Sequence, residues 1–156
     1  MLSNSIIQRV QFQHEAVTDL IKNIPEERLR TRPANGKWST IENIAHLTAY
    51  QYTFLDRLKK MDKEESPLFT RYVGDDDPIF LSNVDKALKD ILEDLFTQRF
   101  ILTNYLKHLS EHSLRRTGRH PVYGALTVPY GLNSFCFTNR TIYLLFLSFS
   151  TTRVQP

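Results

Sequence analysis

Residues 37–47, KWSTIENIAHL, decide the fold because they begin a helix and place a histidine inside it. Ser39 and Glu42 have the S-x-x-E spacing of a capping box. In such a box the hydroxyl accepts a backbone N–H of the first turn, and the carboxylate accepts the N–H of the cap residue. Trp38 precedes the cap, but its hydrophobic-staple partner would be the polar Asn43, so we expect no staple. The stretch predicts a helix that starts just after Ser39.

His46 is the first candidate site residue, one turn after Glu42 and one turn before Tyr50. A neutral imidazole there can bind a metal ion, transfer a proton or hydrogen-bond inside the fold. An isolated histidine on a helix is more often a satisfied core residue. The residue and its spacing alone therefore leave these alternatives open.

The composition is typical of one globular domain, since 41% of the 156 residues are hydrophobic and 24% are charged. The longest apolar run, residues 142–149, is much shorter than the roughly 20 residues that a membrane helix needs. We expect no signal peptide and no membrane partner. The single Cys136 excludes an internal disulfide and fits a reducing compartment. The expectation is a cytoplasmic protein.

The formal net charge of +3 is unevenly distributed, because every Asp and Glu lies at or before Glu111. The basic residues after that position are Arg115, Arg116, Arg119, Arg140 and Arg153. A basic end of a chain can bind nucleic acid. These arginines are scattered and accompany no nucleic-acid-binding motif, so we expect no nucleic acid partner.

Apolar residues at helical spacing predict three helices, over residues 5–23, about 40–60 and 82–109. The third is expected to start at Ser82, where S-x-x-D precedes an apolar stripe. Residues 62–79 are polar and interrupted by proline and glycine, which predicts a long surface crossover.

A fourth helix is expected to start near Thr127 and Pro129, because proline suits a first helical turn. The stretch after residue 129 contains no Asp, Glu, Lys or His, and β-branched and aromatic residues replace good helix formers. Three helices still need a fourth surface to cover their apolar stripes. We therefore predict an all-α four-helix bundle with an irregular last helix. The domain would span residues 1–129, with an atypical tail at 130–156.

Two other clusters could bind a cation. His108 and His112 share a helix face if the third helix continues through both, but at its end they would simply favour the helix dipole. The loop carboxylates at residues 75–77 could attract a hard cation, although such carboxylates are usually only solvated.

The block W-S-x-x-E-x-x-A-H-L at residues 38–47 and the turn GRHPVYG at 118–124 resemble the DinB-like superfamily over residues 3–129. Its members include metal-dependent hydrolases and bacterial thiol S-transferases of the bacillithiol type. The resemblance implies an antiparallel up-down-down-up bundle with the long crossover after the second helix. It also implies a divalent metal, zinc or nickel, held by three histidines. One of these lies on the second helix, at the position of His46, and an H-x-x-x-H pair lies on the fourth.

The fourth-helix pair is missing, because no histidine follows His120. His120 cannot replace the pair, since the family places its turn histidine outside the metal sphere. Three imidazoles leave open metal positions for a water or a thiol, but one imidazole cannot hold a divalent ion in this way. We expect an enzyme scaffold for a small-molecule substrate or thiol, inactive as written, with His46 as its one metal ligand and no assigned catalytic residue. The chain itself would bind divalent metal weakly or not at all.

Two hypotheses explain the tail. In the first hypothesis, the tail is the fourth helix of the family read in a shifted frame. If the third base of each codon from position 130 is joined to the first two bases of the next codon, the genetic code permits WAEFFLLHE(P/S)HHLFTIFKL. This stretch is amphipathic and contains H-x-x-x-H. Some steps are nearly forced: Phe135 followed by Cys136 must give leucine. In the second, the chain is a diverged member with a different last helix.

A competing function is a non-catalytic binding or stress-response bundle in which His46 is a core residue. An enzyme needs an open pocket between the second and fourth helices with His46 facing it, whereas a binding module would fill that space. A core left incompletely covered would also favour a homodimer.

Overall fold

The computed structural model describes residues 2–136, which are mostly helical with one small antiparallel sheet. The helices are α1 (Asn4–Phe12), α2 (Ala16–Ile21), α3 (Glu26–Arg30), α4 (Thr40–Lys63), α5 (Pro78–Val84), α6 (Leu88–Lys107), α7 (Glu111–Arg115) and α8 (residues 128–136). The strands are β1 (Thr117–His120) and β2 (Gly124–Thr127). In this described part, no helix combines the length and apolar character needed to cross a bilayer.

The first bundle helix consists of α1 and α2, joined by a 3-10 turn at Gln13–Glu15. Ser3 caps α1 by accepting the N–H of Ile6 at 3.4 Å. Val10 and Val17 are buried on the same side of this rod. The predicted helix over residues 5–23 is confirmed as one helical element that contains a 3-10 turn in its middle.

The capping box at the start of α4 is confirmed. The hydroxyl of Ser39 accepts the N–H of Glu42 at 3.2 Å, and the carboxylate of Glu42 accepts the N–H of Ser39 at 2.7 Å. The side-chain amide of Asn43 donates to the carbonyls of Trp38 and Ser39, so it does not act as an apolar staple partner. Two reciprocal bonds thus fix where the longest described helix begins.

The expected start of the third helix at Ser82 is wrong. Ser82 lies inside α5, which begins at Pro78 and is capped by Asp77, whose carboxylate accepts the N–H groups of Ile79 and Phe80. Proline preorganises a first turn and a carboxylate caps it, so the helix begins earlier than predicted. A short break then separates α5 from α6, which starts after Ala87.

The directions of the long helices follow from two core clusters. The first halves of α4 and α6 share one cluster with α2, and their second halves share the other cluster with α1. Helices α4 and α6 are therefore parallel, and the α1–α2 rod is antiparallel to both. The residues that show this are Val17, Ile44 and Leu95 in one cluster and Val10, Leu58 and Leu102 in the other.

Helix α8 completes the bundle and runs alongside α1. The guanidinium of Arg9 donates to Asn133 at 2.9 Å, and the side-chain amide of Gln13 donates to the carbonyl of Cys136 at 3.0 Å. The pairing ascends along both helices, so α8 is parallel to α1 and antiparallel to α4. The up-down-down-up bundle is confirmed. Residues 130–136 of the tail, which is predicted to be irregular, are helical, and residues 137–156 lie outside the described residues. The division of the domain at 129/130 stays a prediction.

A β-hairpin precedes α8 and packs against the crossover. Strands β1 and β2 pair antiparallel, with Gly118 opposite Leu126. The crossover is attached to β1, because the N–H of Phe69 donates to the carbonyl of Arg119 at 2.8 Å. A Cβ on Gly118 would lie 2.3 Å from the Phe69 ring, so glycine permits this contact. Short strands held by such tertiary contacts leave little signal in the sequence, which predicted only turns here.

Candidate functional site

His46 lies near the start of α4 within a group of aromatic rings. Its ring centroid is 5.0 Å from that of Trp38, 5.5 Å from that of Tyr72 and 6.2 Å from that of Tyr50. The hydroxyl of Tyr72 is 3.5 Å from Nδ1 of His46. The imidazole therefore has a hydrogen-bonding neighbour and three aromatic neighbours.

A short segment of the crossover, residues 72–77, covers His46, and we call it the strap. A Cβ on Gly74 would lie 2.9 Å from Nδ1 of His46 and 2.6 Å from the Trp38 ring, so only glycine allows this approach. The carboxylate of Asp75 accepts the indole N–H of Trp38 at 3.0 Å. Together with Asp77, which caps α5, these contacts attach the strap at several points.

The electrostatics of this group keep its members uncharged near pH 7. Burial lowers the pKa of His46, and the carboxylates of Asp77 and Asp75 oppose this without reversing it. Burial raises the pKa of Tyr72, and Asp77 raises it further. Burial also raises the pKa of Tyr50. A neutral imidazole is the form that ligates a metal, but it is equally the form that suits an aromatic enclosure.

The described residues around His46 do not fit a divalent ion. Across residues 2–136, no group of three or more His, Cys, Asp or Glu side chains is placed to hold one. The neighbours of His46 are instead aromatic rings and a hydroxyl with a raised pKa, which are poor ligands for zinc or nickel. The carboxylates whose charges reach His46 are those of Asp75 and Asp77, which bind the Trp38 indole and cap α5, respectively.

The other predicted cation sites take structural roles. Helix α6 ends at Lys107, so His108 and His112 do not share one helix face and that interpretation is wrong. Nδ1 of His108 lies 2.7 Å from the carbonyl of Asn104, at the end of its helix. Of the carboxylates at residues 75–77, that of Asp75 accepts the indole N–H of Trp38 and that of Asp77 caps α5.

Two of the late arginines in the described part of the chain have local protein partners. Arg116 donates to the carbonyls of Met61 and Glu64, so it satisfies the end of α4. The side chain of Arg115 is exposed beside Glu111. Arg140 and Arg153 lie outside the described residues. The expectation that nucleic acid is not a partner stays a prediction.

A cleft lies beyond Tyr50, between α4, the hairpin and α8. It is lined by Tyr50, Phe54, Arg57, Leu58, Met61, Phe69, His120, Tyr123, Leu126, Thr127, Val128, Gly131 and Ser134. An open pocket between the second and fourth helices is thus present, as an enzyme would require. His46 is not among its lining residues, because Tyr50 lies between them.

Arg57 and His120 are two polar residues of this cleft, and no sequence pattern predicted that they would line the same site. Arg57 is buried on α4, on the stripe that also carries His46, Tyr50 and Phe54. An arginine inside an otherwise aromatic and apolar stripe was the available signal, since buried arginines need partners. His120 comes from the hairpin, and no local pattern connects it with α4.

Comparisons with known proteins agree with the fold. The model of the DinB superfamily matches residues 9–135. YfiT from Bacillus subtilis, described as "a probable metal-dependent hydrolase with an unusual four-helix bundle topology", superposes with a TM-score of 0.84. It is 17% identical in sequence, and the match covers 96% of this chain and 89% of that chain. At this identity the likeness shows the fold alone. No curated protein matches this chain.

Proposed function

Because this chain belongs to the DinB superfamily, we propose that it is an enzyme scaffold of that family with an incomplete metal site. The scaffold is of the metal-dependent hydrolase or thiol S-transferase kind, and its partner is a small-molecule substrate or a thiol. The observation that carries the proposal is the surroundings of His46, the one position that matches a family ligand. Aromatic rings and the Tyr72 hydroxyl adjoin this imidazole, and among residues 2–136 no group of three or more potential ligands is placed to hold an ion.

A three-histidine ion would supply a Lewis acid that lowers the pKa of a bound water or thiol. The described residues of this chain do not fit that ion, so no chemical step is assigned to it. What they provide is a neutral imidazole, two neutral tyrosines and an open cleft on the far side of Tyr50. These groups can bind and orient a ligand without activating a nucleophile.

The test is a titration of this chain with nickel and with zinc, monitored by calorimetry and by the fluorescence of Trp38. Trp38 is the sole tryptophan, and its ring is 5.0 Å from His46, so nickel bound there would quench its emission. We expect no tight one-to-one complex and no saturable quenching. Tight binding that is lost in His46→Gln would overturn the proposal.

A matched control is the same chain with its tail translated in the next reading frame from residue 130. The codons permit H-x-x-x-H in that tail, and a chain whose tail carries this pair is expected to bind one metal ion tightly and to lose it on His46→Gln. The coding DNA separates the two origins of the tail. A single insertion or deletion near residues 128–131 that restores the pair supports the frameshift, and its absence supports divergence.

A second candidate function is a non-catalytic binding bundle, which the closed surroundings of His46 favour. In that case His46 acts as a packed aromatic ring, and His46→Phe would retain both the fold and ligand binding. If the protein is instead related to an enzyme, His46→Phe in the chain with the restored tail would abolish metal-dependent turnover. A homodimer is proposed only as a consequence of incomplete core coverage, and sedimentation would detect it.

A further inference from the structure

The cleft beside Tyr50 contains a buried guanidinium without a carboxylate partner. The side chain of Arg57 is 9% exposed, and its Nη2 donates to the carbonyl of Thr70 at 2.8 Å. Its guanidinium lies 5.3 Å from the centroid of the Phe69 ring. No Asp or Glu within residues 2–136 forms an ion pair with it.

The neighbours of Arg57 stabilise its charge only partly, because each of them is neutral. A carbonyl and an aromatic face both attract a cation, but a buried charge without a counter-ion remains costly. Tyr50, on the same cleft wall, has a raised pKa and so carries no negative charge near pH 7. An anion in the cleft would supply the missing charge.

His120 adds a second donor to the same cleft. Its Nδ1 accepts the backbone N–H of Val122 at 3.1 Å and that of Tyr123 at 3.3 Å, so Nδ1 carries no proton. The neutral ring must then carry its hydrogen on Nε2. Burial lowers the pKa of His120, and the charge of Arg57 lowers it further, which favours this neutral form. No described residue accepts from Nε2, and the ring lines the cleft.

The rest of the wall defines the body of the ligand. Phe54, Leu58, Met61 and Val128 are apolar, which suits the apolar body of a small organic ligand. One guanidinium and one neutral imidazole balance a single negative charge. A phosphate carries close to two negative charges, and this cleft would leave about one of these charges uncompensated.

We propose that this cleft binds a small organic carboxylate, with its carboxylate on Arg57 and His120 and its apolar body against Phe54 and Met61. Binding needs no metal ion, so this ligand site goes beyond the function proposed above. It also explains why an arginine lies inside the core-facing stripe of α4.

The first experiment is calorimetry of the full chain at pH 7 with a metal chelator present, using phenylacetate and the isosteric phenylacetamide as probes. We expect phenylacetate to bind one-to-one and the amide to bind roughly tenfold or more weakly, because only the former can form charge-assisted hydrogen bonds. Equal affinities for the two probes, or no binding of phenylacetate, would overturn the proposal. Tighter binding of inorganic phosphate at Arg57 would overturn it as well. The chelator makes these outcomes independent of the metal titration.

Three variants locate the site. Arg57→Met should weaken phenylacetate binding by roughly 10- to 100-fold, as expected for loss of a charged hydrogen-bond donor. His120→Asn retains an acceptor for the two backbone N–H groups but removes the Nε2 donor, and a loss of roughly fivefold to tenfold is expected. Arg115→Met is the matched control, since that side chain is 84% exposed and does not line the cleft. If Arg57→Met does not fold, His120→Asn carries the test, and unchanged affinity in that variant contradicts the proposal.

Discussion

At the residue scale, His14 is the most perturbed histidine that the structure describes. It lies in the 3-10 turn between α1 and α2, almost fully buried, with its ring centroid 4.8 Å from that of Phe96. Its Nδ1 has no hydrogen-bond partner among residues 2–136. Burial, and then the charge of Arg99, lower its pKa to about 4. Protonation of this ring is therefore strongly coupled to unfolding.

We predict that His14 makes the protein sensitive to mild acid. The unfolded chain binds a proton near pH 6.5 and the folded chain only near pH 4, so the unfolding free energy falls as pH drops between these values. The loss from this group would approach about 3 kcal/mol at pH 4, and it is absent above pH 6.5. Urea unfolding at pH 7 and pH 5 measures it. His14→Phe should flatten the dependence, leaving the smaller slopes of the same sign from His46 and His120, and an unchanged slope would contradict the prediction.

At the element scale, the hairpin is held against the crossover by a contact that requires glycine. Gly118 is buried in β1, directly over the ring of Phe69, which in turn lies beside Arg57. The crossover and the hairpin therefore form one wall of the cleft. The position of that wall depends on the direct packing of the Phe69 ring against the backbone of Gly118.

Gly118→Ala is predicted to destabilise the fold by about 1–3 kcal/mol, because its Cβ would overlap the Phe69 ring. Urea unfolding measures this change, and weaker phenylacetate binding should accompany it. Gly131→Ala is the matched control, since its Cβ would meet Phe54 at an ordinary 3.8 Å within α8. Alanine there should stabilise by about 0.5–1 kcal/mol, because it favours a helix over glycine. Equal effects of the two substitutions would refute the role of the contact.

At the scale of the whole molecule, Arg99 connects all four bundle helices. It is fully buried on α6, donates to the side chain of Gln51 on α4 at 2.6 Å, and donates to the carbonyl of Val10 on α1 at 3.0 Å. Its guanidinium lies 4.9 Å from the ring centroid of Phe135 on α8. A charge at this point specifies which helices are neighbours.

Arg99→Met is predicted to lower the unfolding free energy by about 3–5 kcal/mol, because it leaves buried acceptors on Gln51 and Val10 without a donor. Arg115→Met, with its side chain 84% exposed, should change it by less than about 0.5 kcal/mol. Urea unfolding of the two variants makes the comparison. A loss at position 99 no larger than that at 115 would show that the helices pack without this network.

The sequence by itself determined the helix starts that depend on residues three or four apart. Ser39 and Glu42 satisfy each other across one turn, so α4 begins where the pattern predicts and His46 follows in its second turn. The bundle order, predicted through the family resemblance, is likewise confirmed by the core clusters. At Ser82 the same kind of local pattern failed, because Asp77 and Pro78 form a stronger helix start nearby.

Only the tertiary structure decided the enclosure of His46 and the composition of the cleft. The strap reaches His46 from the crossover, and His120 reaches the neighbourhood of Arg57 from the hairpin, across many residues of sequence. Such contacts depend on how helices and loops pack, because backbone periodicity places residues only within one element. Whether an imidazole becomes a ligand, a hydrogen-bond partner or a packed ring is set by those distant neighbours.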